Sequence, residues 1–215
     1  MHRLNHPDRY ALAILMLGPM AAALAPSAAT AQALPSFDCA KSPTLVEKMI
    51  CADATLAALD VEMEQLFTLA RDGAGAARND VIKAQDGWLA QRNDCTSSTD
   101  SKRCLAEAYV ERISVLRETY PAARRAKGIS LGPFKASCEG LGSPLTVTFV
   151  NSSPSYAYVS ATKESVVLKQ ALSGSGARYE AQYPKGQTRL WNKGEGALIA
   201  LPGGKDMNCT LKSAG

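Results

Sequence analysis

The chain has 215 residues and a formal net charge of +4, with 46% hydrophobic and 20% charged residues. A charge this small argues against nucleic acid as a partner. Both histidines, His2 and His6, lie in the first ten residues, so the rest of the chain lacks the residue that Ser-His-Asp catalysis, Cys-His catalysis and histidine zinc sites require.

The first 31 residues have the features of a secretory signal peptide. Arg3 and Arg9 precede an apolar run over 11–25, which glycine and proline interrupt and which is short for a bilayer span. The small residues over 29–31 then fit the rule for signal cleavage. We predict cleavage after residue 31, with Ala33 as the next candidate, and export to the periplasm.

The exported part is predicted to be soluble. A lipoprotein needs small residues before the cysteine that carries the lipid, whereas Cys39 follows Phe37 and Asp38. No later apolar run approaches the length of a membrane span. We therefore expect neither a lipid anchor nor a membrane-spanning segment.

Charge divides the exported part into two halves. Residues 36–123 carry 10 basic and 14 acidic groups, whereas residues 129–215 carry 9 basic and 5 acidic groups. Halves of opposite sign favour two domains. The stretch 121–132 has no apolar period and contains prolines, glycines and basic residues, which indicates a linker between domains over 36–120 and 133–213.

All six cysteines follow the predicted leader, and their even number indicates disulfides formed in an oxidising compartment. Bonds that stay within each half would join Cys138 to Cys209. The cysteines in the first half lack the C-x-x-C spacing of zinc sites. With neither histidine nor a free thiol, we predict no enzyme activity, no cofactor and no metal site.

Apolar residues at steps of three and four predict helices in the first half. Leu56, Leu59, Met63 and Leu66 form such a stripe after Asp53, which can cap the helix. The predicted helices cover about 43–50, 53–72, 77–93 and 101–120. Their short connections make neighbouring helices antiparallel, so this half is predicted to be an all-α, disulfide-linked helical bundle.

The four cysteines of this half allow three pairings. Antiparallel packing of the first two long helices would bring Cys51 near Cys95, which leaves Cys39 with Cys104. The alternative is the local set, Cys39 with Cys51 and Cys95 with Cys104.

The order of cysteines, aromatics and arginines in this half resembles the N-terminal domain of LprI-type proteins over about residues 37–119. The matching motifs are Phe37-Asp38-Cys39, Gln85-x-x-Trp88-Leu89-x-x-Arg92-x-x-Cys95 and Cys104-Leu105-x-x-x-Tyr109-x-x-Arg112-Ile113. The family is named for lysozyme inhibition by one lipoprotein member. The polar residues of these motifs are expected to be structural, and Arg112 is expected to pair with Asp60.

The second half shows alternating apolar and polar residues over 145–150 and 156–159, with further short β-rich runs over 166–168 and 197–201. Glycine, proline, serine and asparagine separate these runs at close intervals. The pattern predicts an all-β antiparallel sheet or small barrel.

Two loop motifs stand out in this half, Leu172-Ser-Gly-Ser-Gly-Ala-Arg-Tyr179 and Trp191-Asn-Lys-Gly194 followed by Ala197. Together with Cys138 and the closing Cys209 they resemble MliC and PliC, the inhibitors of c-type lysozyme, over about residues 132–212. The resemblance implies that Ser175 and Lys193 enter the cleft of a c-type lysozyme. It also implies supporting or contact roles for the following residues: Gly176, Arg178, Tyr179, Trp191 and Gly194.

The chemistry of such an insertion is simple. Lysozyme hydrolyses glycosides with two carboxyl groups, and an ammonium placed between them gains charge-assisted hydrogen bonds. The alternative function is a module without inhibitory activity that binds the cell envelope, peptidoglycan fragments or another protein. The sequence leaves the oligomeric state open.

Overall fold

A computed structural model describes residues 33–162 and 164–214 of the chain. The predicted signal peptide, residues 1–31, lies outside these described residues. The described part comprises a helical region followed by a closed antiparallel β-barrel, which confirms the predicted fold class.

Within the described residues the N-terminal region contains five helices. Thr44 and Glu47 cap the first of them reciprocally, and the side chains of Asp53 and Asp100 accept backbone N–H groups at the start of two others. The helices are α1 (Leu45–Ala52), α2 (Ala54–Gly73), α3 (Arg78–Asn93), α4 (Ser101–Thr119) and α5 (Pro121–Arg124). Three short 3-10 turns accompany them, at Cys39–Lys41, Gly75–Ala77 and Asp94–Ser97.

A buried polar chain crosses the helical core. The Tyr109 hydroxyl donates to Asp60 at 2.8 Å, and Arg92 donates to the Tyr109 oxygen at 3.0 Å. Ser36 donates to the other Asp60 oxygen at 2.6 Å. Burial is the main reason why the pKa of Tyr109 lies far above its usual value, so Tyr109 stays a neutral donor to Asp60.

The expected pair between Arg112 and Asp60 is wrong. Arg112 donates to the side-chain oxygen of Gln85 at 2.9 Å. Both Asp60 oxygens are already bonded, by Tyr109 and by Ser36. The helical period placed Arg112 on the correct face of α4, but it did not show which neighbouring side chains donate hydrogen bonds to the Asp60 carboxylate.

The expected pairs Cys51–Cys95 and Cys39–Cys104 are also wrong. The structure contains the local set, Cys39–Cys51 and Cys95–Cys104. Each bond closes a short segment, because the first 3-10 turn folds back on α1 and the third leads directly into α4.

Eight strands, counted over the described residues, form the C-terminal half. Each strand pairs with the next, and β8 pairs with β1 to close the barrel. The strands are β1 (Ser130–Cys138), β2 (Leu145–Val150), β3 (Tyr156–Ser160), β4 (Ser165–Ala171), β5 (Ala177–Tyr183), β6 (Gly186–Lys193), β7 (Gly196–Ala200) and β8 (Met207–Ser213). The Cys138–Cys209 disulfide links β1 to β8, as the sequence predicted.

The barrel and the helical region share a buried apolar surface. Alternate residues of β3, Ala157 and Val159, face the barrel interior. Tyr156 and Tyr158 instead join the helical core, as does Val167 from β4. Helix α4 lies against these strands, so the outer face of β3 and β4 is buried by the helices.

A buried ion pair holds the connection between the two regions. Glu62 accepts the backbone N–H groups of Ile129 and Ser130 at 3.0 and 3.2 Å, and it also accepts the Ser130 hydroxyl. Arg117 lies 3.6 Å from the Glu62 carboxylate, and the two side chains are 2% and 4% exposed. This cluster fixes the start of β1 against α2 and α4.

The segment 121–132 therefore differs from the exposed linker that the sequence predicted. It contains α5 and the first residues of β1. Arg117 donates to the carbonyls of Arg124 and Ala126 at 3.0 Å and to that of Gly132 at 3.3 Å. The acceptors in this segment are backbone carbonyls, which every residue type has. The contacts therefore produce no apolar period by which the sequence could have revealed them.

Substitution of Arg117 by Leu should strongly destabilise the protein. The change leaves the buried Glu62 carboxylate without its cation, a loss of about 3–5 kcal/mol in the free energy of unfolding. Arg103→Leu is the control, because Arg103 is 65% exposed and lies 3.9 Å from its carboxylate partners; its effect should stay within about 0.5 kcal/mol. Urea unfolding measures both, and equal effects would contradict the role given to Arg117.

Candidate functional site

The two loop motifs lie side by side at one end of the barrel. We call residues 172–176, between β4 and β5, the Ser175 loop, and residues 193–196, between β6 and β7, the Lys193 turn. Strands β5 and β6 are antiparallel neighbours that pair Ala177 with Asn192 and Arg178 with Trp191. This register places the start of β5 beside the end of β6, which brings the loop next to the turn.

Trp191 fixes the Ser175 loop. Its indole N–H donates to the Ser175 carbonyl at 2.8 Å, and the Ser173 hydroxyl donates to the same oxygen at 2.7 Å. Trp191 is half-buried, pairs with Arg178 across the strands and lies outside the barrel core. The residue therefore links the two motifs directly.

Gly176 allows this close approach. Its φ is +66°, and a Cβ built there would lie 2.4 Å from the Asn192 carbonyl oxygen. Any side chain would push the Ser175 loop away from β6. Gly194 also has a positive φ, +61°, but a Cβ at this position meets no atom within 4 Å in the described structure.

Ser175 and Lys193 are both exposed to solvent. The hydrogen bonds at Ser175 involve its carbonyl, and within the described residues no group bonds to its hydroxyl. No carboxylate of the described chain lies within salt-bridge distance of the Lys193 ammonium. The site thus presents a hydroxyl and a cation that are both available to a partner.

Arg178 and Tyr179 are placed differently. Arg178 donates from Nε to the Glu180 carboxylate at 2.9 Å and forms a second contact from its terminal nitrogen, so its charge is already paired. Tyr179 is 4% exposed, its ring packs 5.6 Å from that of Phe149, and burial raises its pKa. Tyr179 therefore supports the loop from the barrel interior.

Two exposed leucines belong to the same end of the barrel and were not among the predicted site residues. Leu172, in the Ser175 loop, is 97% exposed, and Leu131, at the start of β1, is 51% exposed. Leu131 lines a shallow depression with Gly194 and Glu195 of the β6–β7 connection. A leucine next to a serine- and glycine-rich loop indicates an exposed apolar contact. The position of Leu172 before Ser173 and Gly174 could therefore have identified it from the sequence.

The chain is similar to the lipoprotein LprI of Mycobacterium bovis and of two strains of Mycobacterium tuberculosis, CDC 1551 and H37Rv. Each match is 32% identical over 149 residues and covers 68% of this chain and 72% of the relative. The chain belongs to the LprI family.

Two family models match this LprI-family protein in order along the chain. The model described as lysozyme inhibitor LprI matches residues 39–116, and the model described as membrane-bound lysozyme-inhibitor of c-type lysozyme, MliC, matches residues 137–208. Both descriptions name inhibitors rather than enzymes. No solved structure matches the chain.

The matched relatives are named lipoproteins, whereas the absence of a lipid anchor here stays a prediction from the sequence around Cys39. Across residues 33–162 and 164–214, none of the helices has the length and apolar character needed to cross a membrane. The same residues contain no cluster of three or more side chains suited to hold a metal ion.

Gly176→Ala should disturb the site far more than Gly194→Ala. Both variants place a side chain at positive φ, which costs about 1–2 kcal/mol, but only the first also meets the Asn192 carbonyl. We expect Gly176→Ala to lose the Trp191 hydrogen bond. The indole N–H resonance of Trp191 should then shift strongly in two-dimensional NMR spectra, and nearly equal shifts in the two variants would contradict this assignment.

Proposed function

We propose that this LprI-family protein inhibits c-type lysozyme, and that the Ser175 loop and the Lys193 turn enter the catalytic cleft. The observation that carries the proposal is the adjacency of two exposed groups, the Ser175 hydroxyl and the Lys193 ammonium, on loops fixed to each other by Trp191. The match of residues 137–208 to the family of c-type lysozyme inhibitors supports the choice of partner.

The groups fit the chemistry of the target. A glycoside hydrolase with two catalytic carboxyl groups offers acceptors for a cation and for a hydroxyl donor. Lys193 would place its ammonium between the carboxyl groups, where hydrogen bonds to an ionised partner are short and strong. Ser175 would donate to one of them. The inhibitor blocks the cleft and undergoes no reaction itself.

The rigidity of the site supports tight binding. Hydrogen bonds from Trp191 and Ser173 hold the Ser175 carbonyl, and a two-residue connection closes β6 onto β7. A loop that is ordered before it binds loses less conformational entropy on association. Leu172 and Leu131 supply apolar area beside the polar contacts, as the buried centre of an interface requires.

The proposed place of action is the periplasm, reached through the predicted signal peptide. All six cysteines, which lie in the described range, form disulfides. Disulfides of this kind persist in oxidising compartments such as the periplasm.

Lys193→Ala should weaken the inhibition of a c-type lysozyme at least tenfold, measured as lysis of a peptidoglycan suspension. A hydrogen bond to a charged group contributes about 1.5–3 kcal/mol, and about 1.4 kcal/mol corresponds to a factor of ten. Ser175→Ala should have a smaller effect in the same direction, since a neutral hydroxyl contributes about 0.5–1.5 kcal/mol.

Lys185→Ala is the matched control. It removes the same charge from the β5–β6 turn, which lies at the opposite end of the barrel, and it should leave inhibition unchanged. Full inhibition by the Ser175→Ala, Lys193→Ala double variant would overturn cleft insertion. Absence of inhibition by the folded, disulfide-bonded wild-type protein would overturn the proposed function itself.

A further inference from the structure

A second candidate site lies in the helical region, between α3 and α4. Residues of both helices line an open groove of about 480 Å³, within the range of roughly 300–1,000 Å³ that is usual for small-ligand pockets. We call it the α3–α4 groove. The residues used below are Gly87, Trp88, Glu107, Ala108, Glu111 and Arg112.

Small residues keep the α3–α4 groove open. A Cβ at Gly87 would meet no atom within 4 Å in the described structure. Glycine in the middle of a helix is less favourable than alanine, and no neighbour of Gly87 requires its small size. Trp88 forms part of the wall, and its indole N–H donates to the Ala108 carbonyl at 3.2 Å across the two helices.

Arg112 lines the groove and carries a donor that no group of the described chain satisfies. The residue is only 7% exposed, and its Nε donates to Gln85 at 2.9 Å. One terminal guanidinium nitrogen, Nη2, is buried and has no hydrogen-bond partner among the described residues. No carboxylate of the described chain forms a salt bridge with Arg112, and burial lowers the pKa of Arg112. A buried donor without a partner is unfavourable and uncommon in folded proteins.

The charges that line the groove restrict its ligand. A guanidinium matches the geometry of a carboxylate, so Arg112 selects for a carboxylate group. Glu107 and Glu111 line the same groove one helical turn apart on α4, and they would attract an amine. Arg92 also lines the groove, where Tyr109 and Asn93 accept its hydrogen bonds. Glu107 is half-buried, and its salt-bridge partner among the described residues, Arg103, lies 3.9 Å away.

We propose that the α3–α4 groove binds a short peptide with a free carboxylate and a free amine. The carboxylate pairs with Arg112, the amine lies by Glu107 and Glu111, and an apolar side chain packs against Trp88. This site is on the helical region, whereas the Ser175 loop and the Lys193 turn lie on the barrel. Peptide binding is therefore independent of lysozyme inhibition.

The test uses the full exported chain and the tripeptide Ala-Leu-Ala with both termini free. The protein has two tryptophans, so the Trp191→Phe variant assigns the indole N–H resonance of Trp88 in two-dimensional NMR spectra. Titration with the free tripeptide should shift the Trp88 resonance in a saturable way. The amidated and the N-acetylated tripeptides, which lack the carboxylate charge and the amine, should each bind at least tenfold more weakly.

Gly87→Phe and Gly87→Ala form the matched pair of variants. A Cβ at Gly87 meets no atom within 4 Å in the described structure, and the residue lines the groove. The phenyl ring of Gly87→Phe should therefore occupy the groove, abolish the titration and leave lysozyme inhibition unchanged. Gly87→Ala should bind the free tripeptide as the wild type does, and circular dichroism confirms that both variants fold. Equal binding of the free and amidated peptides, unchanged binding by Gly87→Phe, or no shift with the free peptide would each overturn the proposal.

Discussion

The buried pair of Glu62 and Arg117 is the contact on which the arrangement of the chain depends. Arg117 reaches three carbonyls beyond α4, and Glu62 accepts two backbone N–H groups at the start of β1. A buried ion pair is favourable only when hydrogen bonds satisfy its remaining donors and acceptors. Here the backbone of residues 124–132 supplies those partners, so the segment must follow one path, and that path sets where the barrel begins.

Once β1 is placed, strand register determines the proposed inhibitory site. The pairing of Arg178 with Trp191 aligns β5 with β6, and the absence of a side chain at Gly176 lets the Ser175 loop settle against the Asn192 carbonyl. The indole of Trp191 then reaches the Ser175 carbonyl. Neither motif can hold this geometry alone, which explains why a Gly-rich loop and a tryptophan on another strand form one structural unit.

The sequence predicted those features that repeat along the chain or that a family motif carries. Helical and alternating periods indicated the helices and strands, and confinement of bonds to each half indicated Cys138 with Cys209. The sequence could not predict which of several nearby groups becomes the partner of Cys51 or of Arg112. The resemblance placed Trp191 among the supporting or contact residues, but the sequence did not predict its hydrogen bond to the Ser175 carbonyl. A tryptophan in a strand suits the core as well as an outer hydrogen bond to a loop.

The helical region and the barrel, which two different family models match, share a buried surface and so do not form two independent units. The helical core buries four side chains of the barrel strands, those of Val150, Tyr156, Tyr158 and Val167, so an isolated barrel would expose them. Exposed apolar surface of this kind favours association or aggregation. The helical region thus completes the fold of the barrel. A loss of inhibition after deletion of the helices would therefore report on the stability of the barrel, and substitutions such as Gly87→Phe separate the two regions more cleanly than truncation does.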